Sequence, residues 1–442
     1  VTEVQTCALP ILIGYGFVAA VLPVWLLLAP RDYLSTFLKI GTIVGLAIGI
    51  LIVMPELKMP ALTQFTDGSG PVWSGSLFPF LFITIACGAV SGFHSLISSG
   101  TSPKLINTET DAPFIGYGGM LMESFVAIMA LVSASILDPG VYFTMNAPTA
   151  VVGTTAESAA AAVTAMGFPI DAATIEHTAE EVGEITIISR TGGAPTLAVG
   201  MAEIFHQATG GEGLKAFWYH FAILFEALFI LTAVDAGTRA GRFMLQDLIG
   251  LAVPSFRNLG AIGPGAVATV LCVAGWGFFL HQGVTDPLGG VNTLWPLFGI
   301  ANQMLAAVAL TLATVVLFRM KRHRYAWVTA LPATLLVVTT MTAGWQKISL
   351  AFDPRVSFLA HAKIYSASLA AGEVLAPAKN LGEMAKLVFN DRINASLCIL
   401  FMFVVMTVVI YGIRACRQAY LADHITTVEV GYGDGPREGA VA

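Results

Sequence analysis

LFPFLFITIACGAVSGFHSLISSGTSPK, from Leu77 to Lys104, decides how the chain is to be read. Its first half is apolar enough for lipid. Its second half continues the run but fills with serine, histidine, threonine and glycine. Thr84, Cys87, Ser91, His94, Ser98 and Thr101 recur at intervals of three and four, which on a helix is one face. A hydroxyl can bond back to its own helix, so a single serine signals little. A stripe of this length around His94 predicts a cavity-lining surface or a polar seam against a partner helix. Gly100 and Pro103 then predict the end of regular helix. Pro113, Gly116, Gly118 and Gly119 predict a delayed start for the next one. Unwound backbone at membrane depth is tolerated where it is buried in protein or lines a cavity, and transporters use it to hold ions and substrates.

The rest of the chain has the composition of such an environment. Of 442 residues, 56% are hydrophobic and 11% charged, with a mean hydropathy of +0.77. A soluble domain carries about 25% charge. The net charge of −6 is dispersed, so no basic patch points to nucleic acid. Cys7, Cys87, Cys272, Cys398 and Cys416 are scattered and form no CxxC, which indicates neither a zinc site nor a disulfide framework.

A membrane core of about 30 Å takes roughly 20 apolar residues as helix. The candidate spans are 11–29, 36–54, 77–97, 117–137, 216–236, 261–281, 288–318, 325–345 and 395–413. Positive residues favour the cytoplasm. Arg31 and Lys39, the cluster Arg319, Lys321, Arg322 and Arg324, and Arg414 with Arg417 then lie inside. Arg239, Arg242 and Arg257 join them only if 194–209, which holds Glu203 and His206, does not cross; it reads as re-entrant or interfacial. Segment 138–193 holds seven acids against Arg190 alone and reads as an acidic extracytoplasmic loop. Segment 346–394 also falls outside, although it carries six Lys and Arg. Residues 420–442 read as a disordered cytoplasmic tail. In the second span, Gly41, Gly45 and Gly49 sit at the spacing of close helix packing.

Acids at membrane depth are functional candidates by default. Glu123 shares a face with Gly116, Gly119, Met120, Ala127, Ala130 and Ala134, so it is expected to face the bundle, as a coupling carboxylate or as a structural hydrogen-bonding residue. Glu226 lies mid-span. Asp235, nine residues on, points the other way and is expected to pair with Arg239 at i+4. Segment 288–318 is 31 uncharged residues, about 46 Å as one helix. Gly289, Gly290, Pro296 and Gly299 predict a break there, with Asn292, Asn302 and Gln303 beside it; a tilted, extended helix is the alternative.

No P-loop, HExxH or arginine ladder is present. Ser91, His94 and Ser95 lack a second element that would present attack geometry, so an intramembrane enzyme is disfavoured. What remains is a secondary transporter, or a membrane sensor that binds without transporting.

GYGFVAAVLPVWLLLAPRDYLSTFLKIGTIVG (Gly14–Gly45), ACGAVSGFHSLISSGTSPK (Ala86–Lys104), IGYGGMLMESFVAIMALV (Ile115–Val132), FWYHFAILFEALFILTAVDAGTRAGRFMLQD (Phe217–Asp247) and DPLGGVNTLWPLFGIANQML (Asp286–Leu305) resemble the carbon starvation protein A family of bacterial inner-membrane transporters. The likeness runs from about Leu12 to about Arg417. It implies uptake of short peptides or pyruvate, with protons, when preferred carbon is scarce. It also implies an architecture of two inverted five-helix repeats. Family members are longer, with helices before the segment that starts here, so the chain reads as an N-terminally truncated member. VTEVQTCALP, with no initiator Met, basic n-region or cleavage site, is no signal peptide, and residues 1–10 read as non-native.

The expected organisation follows. An all-α polytopic membrane protein has about nine to ten transmembrane helices, some broken or re-entrant. Residues 11–137 form a four-helix part of the core, 194–345 a five-helix module and 395–419 the last helix, with a cytoplasmic C-terminus. The expected substrate contacts are Ser91, His94, Ser95, Ser98, Gly100, Thr101, Gly118, Gly119, Asn292, Trp295 and Asn302. A helix N-terminus after Gly116–Gly119 would receive a carboxylate. Glu123, Glu226 and Asp235 are the candidates for coupling, to H⁺ or, through the hydroxyls of Ser98, Ser99 and Thr101, to Na⁺. No metal or other cofactor is expected; the expected partners are a small-molecule substrate and the lipid bilayer, and nucleic acid is not one.

Overall fold

A computed structural model describes residues 3–422 except Glu212 and Leu259, without the side chains of residues 3–7, Ala86, Lys104, Val291 and Asn292. Of the tail expected over 420–442, Tyr420 and Leu421 instead belong to the last helix, Leu381–Leu421, and the residues from 423 lie outside the described ones. Every regular element among those described is helical. Seven helices are long and apolar enough to cross a membrane: α2 (Leu28–Val53), α5 (Asp111–Ser135), α11 (Leu214–Gly250), α12 (Ile262–Thr285), α13 (Gly290–Arg319), α14 (Trp327–Ile348) and α16 (Leu381–Leu421). With them run the shorter apolar α1 (Glu3–Val21) and the pair α3 (Leu77–Ile85) and α4 (Gly92–Gly100). The chain is a multi-pass membrane protein. α1 passes through Pro10 without interruption, so no structural boundary separates residues 3–10 from the span that follows.

One end of the bundle collects arginines. Arg239 donates to the carbonyls of Ala19 and Leu22 at 2.5 and 2.7 Å, and Arg242 to Ala20 at 2.8 Å. These are orphan carbonyls at the C-terminus of α1, where cations are favoured. Lys321, after α13, donates to the Ala419 carbonyl near the end of α16. At the opposite end, 138–193 is not a loop but a small helical layer of α6 (Pro139–Asn146), α7 (Thr149–Val152), α8 (Ala156–Ala165) and α9 (Ala172–Val182). In it α6, α8 and α9 start on side-chain caps from Asp138, Thr155 and Asp171, and α9 stops at Gly183, whose φ of 73° suits glycine.

α10 (Ala194–Thr209) spans only about 24 Å. Its Gly200 packs on the Ser133 carbonyl at the end of α5. Its Glu203 pairs with Lys215 in the first turn of α11 at 2.6 Å, where Glu181 of α9 also binds at 2.7 Å. α10 therefore enters and leaves at the end away from the arginines. Segment 346–394 is likewise largely helical. α15 (Phe358–Ala371) packs against the first turns of α16, which starts at Leu381 and not near 395. Its core is Tyr365, Met384, Leu387 and Val388.

Three expectations about breaks are corrected. The stretch 77–97 is not one helix: regular helix ends at Ile85, a 3-10 turn covers Ala86–Gly88, and α4 begins after Ser91. The stripe from Thr84 to Thr101 is thus divided between two helices. The reverse holds for α5, which runs unbroken from Asp111 through Gly116, Gly118 and Gly119. Pro113 falls in its first turn, where the missing N–H has no intrahelical acceptor. α13 is also one continuous helix through Pro296.

Candidate functional site

The break at 86–91 is built by α13. Trp295, Gly299, Asn302 and Gln303 lie on one face of it, at i, i+4, i+7 and i+8. Trp295 Nε1 donates to the Thr84 carbonyl at 3.0 Å, and Gln303 Nε2 to the Phe82 carbonyl. The amide N–H of Phe93, in the first turn of α4, donates to Asn302 Oδ1 at 2.8 Å. Interrupting a helix orphans these backbone groups, and α13 satisfies them with side chains. Two glycines admit it. A Cβ on Gly92 would lie 1.9 Å from the Asn302 carbonyl oxygen, and one on Gly299 would lie 2.3 Å from that of Ile83. Ser91 caps α4 by accepting from the His94 N–H at 3.2 Å.

The serines of α4 turn inward on their own helix: Ser95 donates to the Gly92 carbonyl, Ser98 to Ser95 and Ser99 to Leu96. Thr101 is buried with an unpartnered hydroxyl, and Gly100 packs on Ala240. His94 and Glu123 approach to 4.0 Å, both about half exposed. Glu123 therefore does not face the bundle as expected. With Cys87, a thiol, an imidazole nitrogen and a carboxylate oxygen lie within 4.8 Å of one another. Motif spacing misses this donor set because it joins the break to the next helix. Gly118 and Gly119 stand on an exposed face with nothing near their Cα positions, so no helix N-terminus receives a carboxylate there. The side chain of Asn292 lies outside the described residues.

Asp235 does not pair with Arg239, which is occupied by the end of α1. Its partner is Arg31 of α2, at 2.5 Å, while Tyr15 donates to the same oxygen at 2.8 Å. Asp235 is 1% exposed. Lys39 donates to Thr232 at 2.8 Å in the same network. Glu226, about two and a half turns before Asp235 in α11, is half-buried.

A second polar place was not singled out by the sequence. A cavity of about 770 Å³ opens at the end away from the arginines. The break borders it, since Thr84, Trp295 and Pro296 line its floor. Lys347, at the last turn of α14, points in. It is 4% exposed, and its Nζ lies 5.1–5.5 Å from the ring centroids of Trp73, Phe80 and Phe358. No carboxylate lies within 4 Å of it among the described residues. The acid on that wall, Asp391, is held by His361 at 2.6 Å. Asp286 behind it accepts from Asn390 at 2.5 Å and from the Leu288 N–H at 2.8 Å. At the rim, Arg355 binds both oxygens of Asp353, and these hydrogen bonds hold the Asp353 carboxyl below its usual range. The available signal was Lys347 itself, a lone cation closing an apolar helix after Trp345.

Comparison with known proteins gives this architecture its relatives. The family model described as carbon starvation protein CstA matches residues 2–343. The peptide transporter CstA of Escherichia coli (strain K12) is 62% identical over 430 residues, covering 96% of this chain and 61% of that protein. The pyruvate/proton symporter BtsT of the same organism is 54% identical over 452 residues, covering 97% and 63%. The peptide transporter CstA of Mycobacterium tuberculosis (strain ATCC 25618 / H37Rv) is 54% identical over 417 residues, covering 91% and 54%. No solved structure matches. The chain spans about three fifths of the length of the first two of these relatives. A family model that covers most of the chain, and relatives more than half identical along nearly all of it, place this multi-pass membrane protein in the carbon starvation protein CstA family.

Proposed function

We propose that the chain carries the substrate site of a secondary active transporter that imports small carboxylates or short peptides in the response to carbon starvation, with protons as the coupling ion. The observation that carries this reading is the 770 Å³ cavity with a buried, unpaired lysine among aromatic rings. A cavity of this size suits a small ligand, and a cation without a counter-ion suits a carboxylate. The named activities of the relatives, peptide transport and pyruvate/proton symport, lie in the same chemical class. The reading places the protein in the bacterial inner membrane. The arginine end and the C-terminus then face the cytoplasm, and the cavity faces outward. No cofactor or catalytic step is part of it; Na⁺ is the alternative coupling ion.

The test is uptake of labelled pyruvate, and separately of a labelled dipeptide, into proteoliposomes with an imposed pH gradient. Accumulation that follows the pH gradient supports the reading, and accumulation that follows Na⁺ reassigns the ion. Binding without accumulation replaces the transporter by a nutrient sensor.

A further inference from the structure

We infer that the Lys347 ammonium is the carboxylate-binding residue of the cavity, and that the His361–Asp391 pair controls it by proton uptake, so that an anion and a proton bind together. The inference rests on the transporter reading and assigns residues to its site.

The argument is one of charge. A buried ammonium is costly unless paired, yet Lys347 meets only ring faces, which are weaker partners for a cation. The charged and titratable groups around the pair come from four elements. α14 brings Lys347, α16 brings Asp391, α15 brings His361 with Tyr365 stacked at 4.1 Å, and the end of α12 brings Asp286. The remaining rim charges, Arg355 and Asp353, neutralise one another. With the imidazole neutral, the His361–Asp391 pair carries one negative charge facing the cavity and offsets Lys347. One proton on the pair, whichever residue is said to hold it, leaves Lys347 with no negative group facing it from the cavity wall among the described residues, because Asp286 does not line the cavity and spends its charge on Asn390 and the Leu288 N–H. An arriving carboxylate then completes the neutrality. The two ligands favour each other by reciprocal linkage, and the net charge moved into the cavity is zero. Tyr365 is tied to the Ala376 carbonyl at 2.5 Å and helps fix the imidazole by stacking.

Three variants separate this from a structural role. Calorimetry on the purified chain uses pyruvate, and acetate as the bare carboxylate, between about pH 8 and about pH 5. Wild type should bind more tightly as pH falls, by up to about tenfold per unit for one linked proton. Asp391→Asn removes the opposing charge permanently. Its affinity at the alkaline end should rise to that of wild type at the acidic end. His361→Gln leaves Asp391 facing Lys347 and should bind weakly throughout. Lys347→Met should abolish binding. Should Lys347→Met fail to fold, the opposite responses of the other two variants still decide. Wild-type affinity in a folded Lys347→Met, no gain in alkaline-end affinity in Asp391→Asn, or no binding by wild type at any pH would overturn the inference. Failure of uptake with these binding results intact would remove the transporter reading and leave the anion site standing.

Discussion

At the scale of the residue, charges in this protein are used where a helix end or a cavity needs them. Asp235 shows the first use. At 1% exposure it depends on Arg31 for charge and on Tyr15 for a hydrogen bond. Arg31→Gln should cost about 3–5 kcal/mol, because a buried carboxylate loses its cation. The double variant Arg31→Gln, Asp235→Asn should recover most of that loss in a thermal unfolding series. A loss of the same size in both would mean that Arg31 acts through its other contacts. The i+4 spacing pointed to Arg239 because spacing ranks only neighbours on one helix. The Tyr15–Asp235 contact joins residues 220 apart in sequence, and no local pattern ranks such pairs.

At the scale of the element, the interrupted helix α3–α4 is a joint closed by α13 and not an open set of backbone groups. Gly92→Ala should destabilise the fold by about 1–3 kcal/mol, since its Cβ would meet backbone that cannot rotate away. Asn302→Leu should cost a similar amount, about 1–3 kcal/mol, by leaving the Phe93 N–H unsatisfied. Both are read from the unfolding midpoint of the purified protein, and an unchanged midpoint in either would remove the joint from the account. The polarity of 84–101 was legible in the sequence, and so was the presence of amides on α13. Their mutual satisfaction was not. A glycine in an apolar run marks either a break or a close contact, and the partner decides which. Gly92 and Gly299 take close contacts beside a break, whereas Gly116, Gly118 and Gly119 sit inside an intact helix.

At the scale of the whole molecule, the two ends differ in charge and in architecture. With the arginine end inside, Glu157→Cys in α8 should react with a membrane-impermeant maleimide in intact cells. Arg322→Cys should react only after permeabilisation, in a background freed of other cysteines. The reverse pattern would invert the topology. Hydropathy is a local sum, so the apolar spans, the all-helical class and the arginine asymmetry were determined by the sequence alone. The cavity was decided only by tertiary structure. It draws Trp73, Trp295, Lys347, His361 and Asp391 from five separated segments. Of these residues the sequence offered only Trp295 as a substrate contact; the others read locally as packing or as loop polarity. Only when the segments converge does the lysine stand apart from every acid, and the acid meet its histidine; electrostatic partnership depends on distance in space, which a linear pattern does not contain.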